Sequence, residues 1–245
     1  MPRYDFRTPR LFVDAPLTAD AAVVLTRDQA NYLGNVLRLK AGDAVLLFNG
    51  RDGEWRASLA AAGKRALTAV VAERLREQPA ASDLHFLFAP LKHARLDYLV
   101  QKAVEMGAAR LQPVLTRFTQ VARVNTERMR ANVVEAAQQC GILTLPEVAE
   151  PISFESLMDG DAGRLLVFCD EDAPVKDPVA ALAAVRPQAM AVLIGPEGGF
   201  AEAERERLLA RPNVVQLSLG PRILRADTAA VAALALVQAV LGDWR

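Results

Sequence analysis

Hydrophobic and polar residues alternate in short bursts from Arg10 to about Val71, then give way to a longer rhythm of apolar runs separated by helical faces. The first region holds five strand-like runs: LFV (11–13), AVVL (22–25), AVLLFNG (44–50), EWRASLA (54–60) and ALTAVVA (66–72). The turn signals AGD (41–43), NGRDG (49–53) and AAGK (61–64) divide the later ones. This spacing predicts a small β-barrel over residues 1–75. A helical insertion from Asp28 to Asp43 interrupts it, with Tyr32, Leu33, Val36 and Leu37 spaced to share one apolar face.

The polar stretch REQPAAS, with Pro79 at its break, predicts a linker over 76–82. Beyond it, over 83–245, strands and helices alternate. Strands are expected at 84–90, 110–115, 164–170, 189–194 and 214–219, and helices at 94–107, 125–141, 178–185 and 201–210, with an Ala-rich terminal helix. Regular βα alternation implies a parallel sheet covered by helices, so the fold class is α/β behind a small β domain.

Composition narrows the function classes. With 245 residues, 52% hydrophobic and 24% charged, the chain excludes disorder and a disulfide-stapled miniature fold. Only Cys140 and Cys169 are present, in apolar surroundings that suggest burial, which points to a reducing, cytoplasmic compartment. His85, His93 and the two cysteines lack metal-ligand spacing, so no metal is expected. The most apolar run, Ala229–Leu241, is too short for a membrane span and reads as a buried helix. Its residues Ala230, Val231, Leu234, Leu236, Val237, Val240 and Leu241 cover every face, which predicts a C2 homodimer built partly on this helix.

A formal net charge of zero hides an asymmetry. Residues 1–130 carry 20 Lys+Arg against 13 Asp+Glu, a net of +7, and the rest carries −7. The basic half is the expected face for a polyanion, through Arg3, Arg7, Arg10, Arg38, Lys40, Lys92, Arg117 and Arg123. Only five of the 29 basic residues are Lys, and the planar Arg fork suits phosphate and base contacts.

Two crossings carry the candidate chemistry. In the first, a strand ends in Leu193, Ile194, Gly195, Pro196, Glu197, Gly198, Gly199 and Phe200 before a helix. Loops at the carboxyl ends of parallel strands are where open α/β sheets bind ligands, and the glycines would admit close backbone approach. The next crossing repeats the logic with Leu217, Ser218, Leu219, Gly220, Pro221 and Arg222, then Ile223 and Leu224 ahead of Arg225, Asp227, Thr228 and Ala229. A tight turn and an N-cap would explain part of each loop, but not two strand-Gly-Pro crossings in succession. Neither matches GxxxxGK[ST] or GxGxxG, which disfavours nucleotide hydrolysis and a standard dinucleotide site.

The motifs LFNG-x-x-x-EW, Lys92 with Gln101-Lys102-x-x-Glu105, GPEGGF and LGPRILRADTA, in this order along nearly the whole chain, resemble the 16S ribosomal RNA uracil-N3 methyltransferase family of the SPOUT superfamily. The resemblance implies a PUA-like RNA-binding barrel before an α/β-knot methyltransferase domain with a trefoil-knotted, mostly parallel sheet, one of the rare exceptions to unknotted topology. It implies a homodimer that binds S-adenosylmethionine on the two Gly-Pro loops and acts on small-subunit ribosomal RNA. The cofactor set would be Leu193, Ile194, Gly195, Pro196, Glu197, Gly198, Gly199, Leu217, Leu219, Gly220, Ile223, Leu224, Arg225, Thr228 and Ala229. Arg225 is the expected cation at the uracil oxygens, and Asp227 and Glu197 are possible proton acceptors or cofactor orienters.

Four positions, in three places, depart from the family pattern. Gln138-Gln139-Cys140-Gly141-Ile142 stands where Glu-Gln-Cys-x-Arg is common, replacing an RNA-facing carboxylate and arginine. Ala201 stands for Ser, which removes a helix cap, and Asp227 for Glu, which shortens a carboxylate. Two other readings stay open: a non-catalytic RNA-binding assembly factor, and a SPOUT enzyme for another RNA or base atom. Intact glycines in both crossings argue against the first.

Overall fold

The computed structural model describes residues 5–61, 67–92, 94–121, 123–160, 163–186 and 189–244, which form two compact units. The first comprises residues up to 80 together with 137–145, and the second residues 81–136 and 146–245. Arg3 and His93 lie outside the described residues.

In the first unit, β1 (Arg10–Phe12), β2 (Ala22–Val24), β3 (Ala44–Phe48), β4 (Glu54–Ala61) and β5 (Leu67–Arg76) form a five-stranded sheet in the order β1-β3-β4-β5-β2. β1 runs parallel to β3 and the other pairs are antiparallel. Alternate residues Val45, Leu47, Ala57, Leu59, Ala69 and Val71 point inward, as a period of two requires, and pack with Leu11, Val23 and Leu33. β5 continues through Arg76, so its end overlaps the stretch read as linker.

The helical insertion is shorter than its periodicity suggests. α1 (Arg27–Asn31) starts at a Thr26 capping box and passes into a π turn over Tyr32–Val36, closed by the Leu37 N–H to the Tyr32 carbonyl at 2.9 Å. The wider turn breaks the expected stripe: Leu33 is buried, while Tyr32, Val36 and Leu37 are exposed. Arg38, at φ 59°, ends the segment.

A buried charge cluster joins β1, β4 and β5. Glu54 Oε1 accepts from Arg10 Nε at 2.5 Å, and its two oxygens accept from Arg76 Nε and Nη2 at 2.8 and 2.9 Å. The Arg10 and Glu54 side chains are each only 4% exposed. Burial alone would raise the Glu54 carboxyl, but hydrogen bonds from Arg76 and Arg10 outweigh it and hold the group below its ordinary value. Arg10 is therefore corrected from an RNA contact to a buried partner of Glu54. Residues 137–145 complete this unit. Gln138 Oε1 accepts the Phe12 N–H at 2.8 Å, and Arg76 Nη2 donates to the Gly141 carbonyl at 2.9 Å. The position that departs from Glu thus holds β1. Cys140 is exposed, against the expectation of burial.

The second unit is an all-parallel sheet in the order β12-β10-β11-β6-β7-β8, with β9 also on β7. Its strands are β6 (Leu84–Phe88), β7 (Arg110–Leu115), β8 (Glu147–Val148), β9 (Ile152–Ser153), β10 (Leu165–Cys169), β11 (Met190–Ile194) and β12 (Val214–Leu217). The near-continuous apolar runs of β6, β10 and β11 are what burial on both faces demands. The helices are α2 (Ala94–Glu105), α3 (Thr126–Cys140, whose residues from 137 on belong to the first unit), α4 (Phe154–Met158), α5 (Pro178–Ala183), α6 (Glu202–Leu209) and α7 (Ala226–Val240). β8, β9 and α4 occupy the Pro-containing stretch that carries no periodic signal. On α7, Ala230, Ala233, Leu234 and Val237 are buried, and Val231, Leu236 and Val240 are half-buried. No helix among the described residues is long and apolar enough to cross a membrane.

Candidate active site

The sheet order puts the carboxyl ends of β11, β10 and β12 side by side, because β10 pairs with both neighbours. The loops leaving these three ends enclose a cleft of about 560 Å³, within the usual range for a small-molecule site. Both Gly-Pro loops line it: Ile194 to Phe200 on one side, and Leu217, Leu219, Gly220, Arg222, Ile223, Leu224, Arg225, Ala226 and Ala229 on the other.

Each loop is shaped by its own local chemistry. At Gly195 a Cβ would stand 2.8 Å from the Phe200 ring, so the ring's seat requires glycine there. Phe200 in turn meets Phe168 edge to face at 5.7 Å. Gly199 (φ 72°) and Gly220 (φ 94°) both need the left-handed region, and a Cβ on either would enter open space. α6 follows the first loop. Ala201 offers no capping oxygen, so only the return half of the cap survives: Glu204 Oε2 accepts the Ala201 N–H at 2.9 Å. α7 follows the second loop with no side-chain cap at Arg225.

The third wall is acidic and escaped the sequence reading. Asp170, just past β10, is buried and lines the cleft beside Glu171 and Asp172. Its Oδ2 accepts from Gln216 Nε2 at 2.8 Å and Arg205 Nε at 3.1 Å, and its Oδ1 accepts the Asp172 N–H at 3.1 Å. Burial pushes this carboxyl up, but the bonds from Gln216 and Arg205 prevail and keep it below its ordinary value, hence ionised. Cys169 lies beside it, and burial pushes that thiol up to about 12, which leaves it inert as a nucleophile. Arg95 from α2 also faces the cleft and pairs with Glu197.

The expected residues divide cleanly. Arg225 and Glu197 line the cleft, as do Ile194, Gly195, Pro196, Gly198, Gly199, Leu217, Leu219, Gly220, Ile223, Leu224 and Ala229. Leu193 is fully buried in the core on β11, and Asp227 and Thr228 are not among the lining residues. Asp227 instead accepts the Thr228 N–H at 2.9 Å in the first turn of α7. Ile223 lines the mouth but is 94% exposed. Arg7, Arg38, Lys40, Lys92, Arg117 and Arg123 are exposed. A smaller cavity of about 290 Å³ at the amino ends of the strands, near His85, Arg110 and Arg164, contains none of the expected residues. Among the described residues no group of His, Cys, Asp and Glu could hold a metal ion.

A parallel sheet with its cleft on adjoining βα loops, preceded by a small half-barrel, defines a two-unit α/β protein with a small-molecule site at the strand ends. Residues 77–238 match the RNA methyltransferase domain model and residues 25–72 the RNA methyltransferase PUA domain model. The chain belongs to this RNA methyltransferase family, and its fold is the SPOUT-type sheet with a PUA-like unit. It is similar to the ribosomal RNA small subunit methyltransferase E of Rickettsia conorii, at 31% identity over 94% of both chains, and to that of Synechocystis, at 34% over 95% of this chain and 78% of the relative. Among solved structures, it resembles the ribosomal RNA small subunit methyltransferase E of Neisseria gonorrhoeae bound to S-adenosyl methionine. There the TM-score is 0.82 and the identity 27%, over 98% of this chain and 100% of the other.

Proposed function

We propose that this protein methylates 16S ribosomal RNA with S-adenosylmethionine as donor, and that the acceptor atom is N3 of a uridine. The observation that carries the reading is the cleft itself. Its two left-handed glycines border open space, as a backbone-bound ligand needs, and solved relatives of nearly equal length hold this cofactor. When bound, S-adenosylmethionine supplies a methyl carbon activated by a positive sulfur that leaves with the bonding pair.

The chain's residues do the rest. Residues 194–199 and 217–229 would hold the cofactor through backbone groups, with Leu219, Ile223 and Leu224 against the adenine. The ionised Asp170 wall suits a cationic ligand. Uracil N3 must lose its proton before it can attack. Arg225, on the cleft wall, would stabilise the negative charge spreading onto the uracil oxygens. Glu197 is the preferred proton acceptor over Asp227, because it lines the cleft and Asp227 does not.

RNA would be captured through Arg7, Arg38, Lys40, Lys92, Arg117 and Arg123, all exposed. Two copies would associate through the half-buried residues of α7, a point that sedimentation at micromolar concentration decides. The central test is nucleoside mass spectrometry of 16S RNA after incubation with protein and cofactor. Appearance of 3-methyluridine supports the assignment, methylation at another atom reassigns the acceptor, and no methyl transfer together with no cofactor binding sinks it.

A further inference from the structure

One large side chain beside the cleft stays half in solvent although its backbone is tied down. Phe118 follows β7 and is 46% exposed. The turn presenting it is closed twice: the Thr119 N–H donates to the Thr116 carbonyl at 3.1 Å, and the Thr116 N–H donates to Thr119 Oγ1 at 2.9 Å. A third bond anchors it. The Arg117 N–H donates at 2.8 Å to Oε1 of Glu204, the buried carboxylate whose other oxygen holds the Ala201 N–H. The turn is thereby fastened to the start of α6, where the GPEGGF loop ends. On the loop itself, Phe118 Cβ lies 3.4 Å from the place a Cβ on Gly198 would take, and Gly198 lines the cleft.

A single exposed phenylalanine is ordinary on a protein surface. The turn that carries this one is fixed by hydrogen bonds on both sides, its Cβ abuts the wall of the cleft at Gly198, and the exposed Arg117 precedes it in the chain. A ring beside a cation is how proteins grip unpaired nucleotides: bases stack on the aromatic face while the guanidinium meets phosphate. Chemistry at a ring atom of a base also requires that base to leave its stack, and the lost stacking must be replaced.

We propose that Phe118 is a positioning residue whose ring stacks on the RNA base presented to the cleft, entering past Gly198. This rests on the methyl-transfer reading above. Stacking needs a π face, whereas packing needs only apolar volume, and that difference decides the experiment. Methyl transfer to small ribosomal subunits lacking the modification is measured for wild type, Phe118→Leu, Phe118→Ala, Phe118→Tyr and Phe118→Trp, with cofactor affinity by calorimetry and thermal melting for each. The expected result is a fall in kcat/KM for RNA of between about fivefold and a hundredfold in the Leu and Ala variants. Cofactor affinity and melting stay at wild-type values, and Tyr and Trp restore most of the activity. Activity of Phe118→Leu equal to wild type, or a parallel loss of cofactor affinity, would overturn the stacking role. A wild-type protein that binds cofactor yet transfers no methyl group overturns the functional reading itself, and the stacking role with it.

Discussion

The two Gly-Pro loops look like repeats in the sequence, yet the structure builds them by different means. In the first, Gly195 makes room for Phe200, the ring is seated against Phe168, Pro196 is buried, and Glu204 fastens both the helix start and the Arg117 turn. In the second, Gly220 borders open space, Ile223 is almost wholly exposed, and α7 begins without a side-chain cap. One loop is braced by a seated ring and a shared carboxylate; among the described residues the other shows no such brace past Gly220. A ligand bound in the cleft would therefore meet a preformed wall on the β11 side and add contacts on the β12 side, so the ordering cost would fall on the second loop.

The sharpest way to break this contrast is Gly195→Val. Forcing a side chain into the Phe200 seat should cost about 1 to 3 kcal/mol by overpacking and reduce cofactor affinity more than tenfold. Because the clash is with a ring and not with ligand, Gly195→Val combined with Phe200→Ala should recover part of the affinity in calorimetry. No recovery would place the ligand, rather than the ring, at that site. Glu204→Ala comes next: it leaves the N–H groups of Ala201 and Arg117 without their acceptor and should cost about 1 to 2 kcal/mol in denaturant unfolding. Acid probes the wall shared by both loops. Asp170 is depressed in the folded protein, so its contribution is complete above its ordinary 3.8 and is lost as pH falls through its lower folded value. Fluorescence-monitored unfolding should accordingly steepen below pH 3.8 in wild type and less so in Asp170→Asn.

In the second loop the effects should be smaller on stability and confined to binding. Gly220→Ala must place a side chain at φ 94°, at a cost of about 1 kcal/mol, with no clash to add to it. Ile223→Ser should leave the melting temperature within error, since surface changes stay within about 0.5 kcal/mol, while weakening the cofactor. If Ile223→Ser lowers stability and not affinity, the unbraced description of this loop is wrong.

Much of this was legible because the signals were local. Period-two alternation marked each strand of the half-barrel, and βα alternation with apolar strands marked the parallel sheet. The Gly-Pro loops stood out through residues whose backbone freedom is unusual. What the sequence hid was non-local. Asp170 acquires meaning only from Arg205 and Gln216, 35 and 46 positions away, brought together by the order β11-β10-β12. Arg10 looked like one more surface arginine because its partner Glu54 lies 44 residues on. The stripe Tyr32, Leu33, Val36 and Leu37 failed because it assumes α-helical turns where the backbone adopts a π turn. The charge asymmetry also changes when read on units. The first unit holds 12 Lys+Arg against 9 Asp+Glu, a net of only +3, so most of the +7 excess comes from residues 81–130 of the second. The proposed RNA capture would therefore draw on basic residues of the second unit, Arg117 among them, as well as on those of the half-barrel.

The return of residues 137–145 to the first unit has a consequence for how the chain is made. During synthesis, β1 emerges early, but the Gln138 amide that receives the Phe12 N–H, and the Gly141 carbonyl that receives Arg76, lie far downstream. Translation of the 65 residues between positions 80 and 145 takes about 3 to 13 s, during which the half-barrel waits with an unfinished edge. A protease pulse on ribosome-bound chains stalled at residue 100 should therefore cut the amino-terminal unit readily, and the same pulse on chains stalled well past residue 145 should find it resistant.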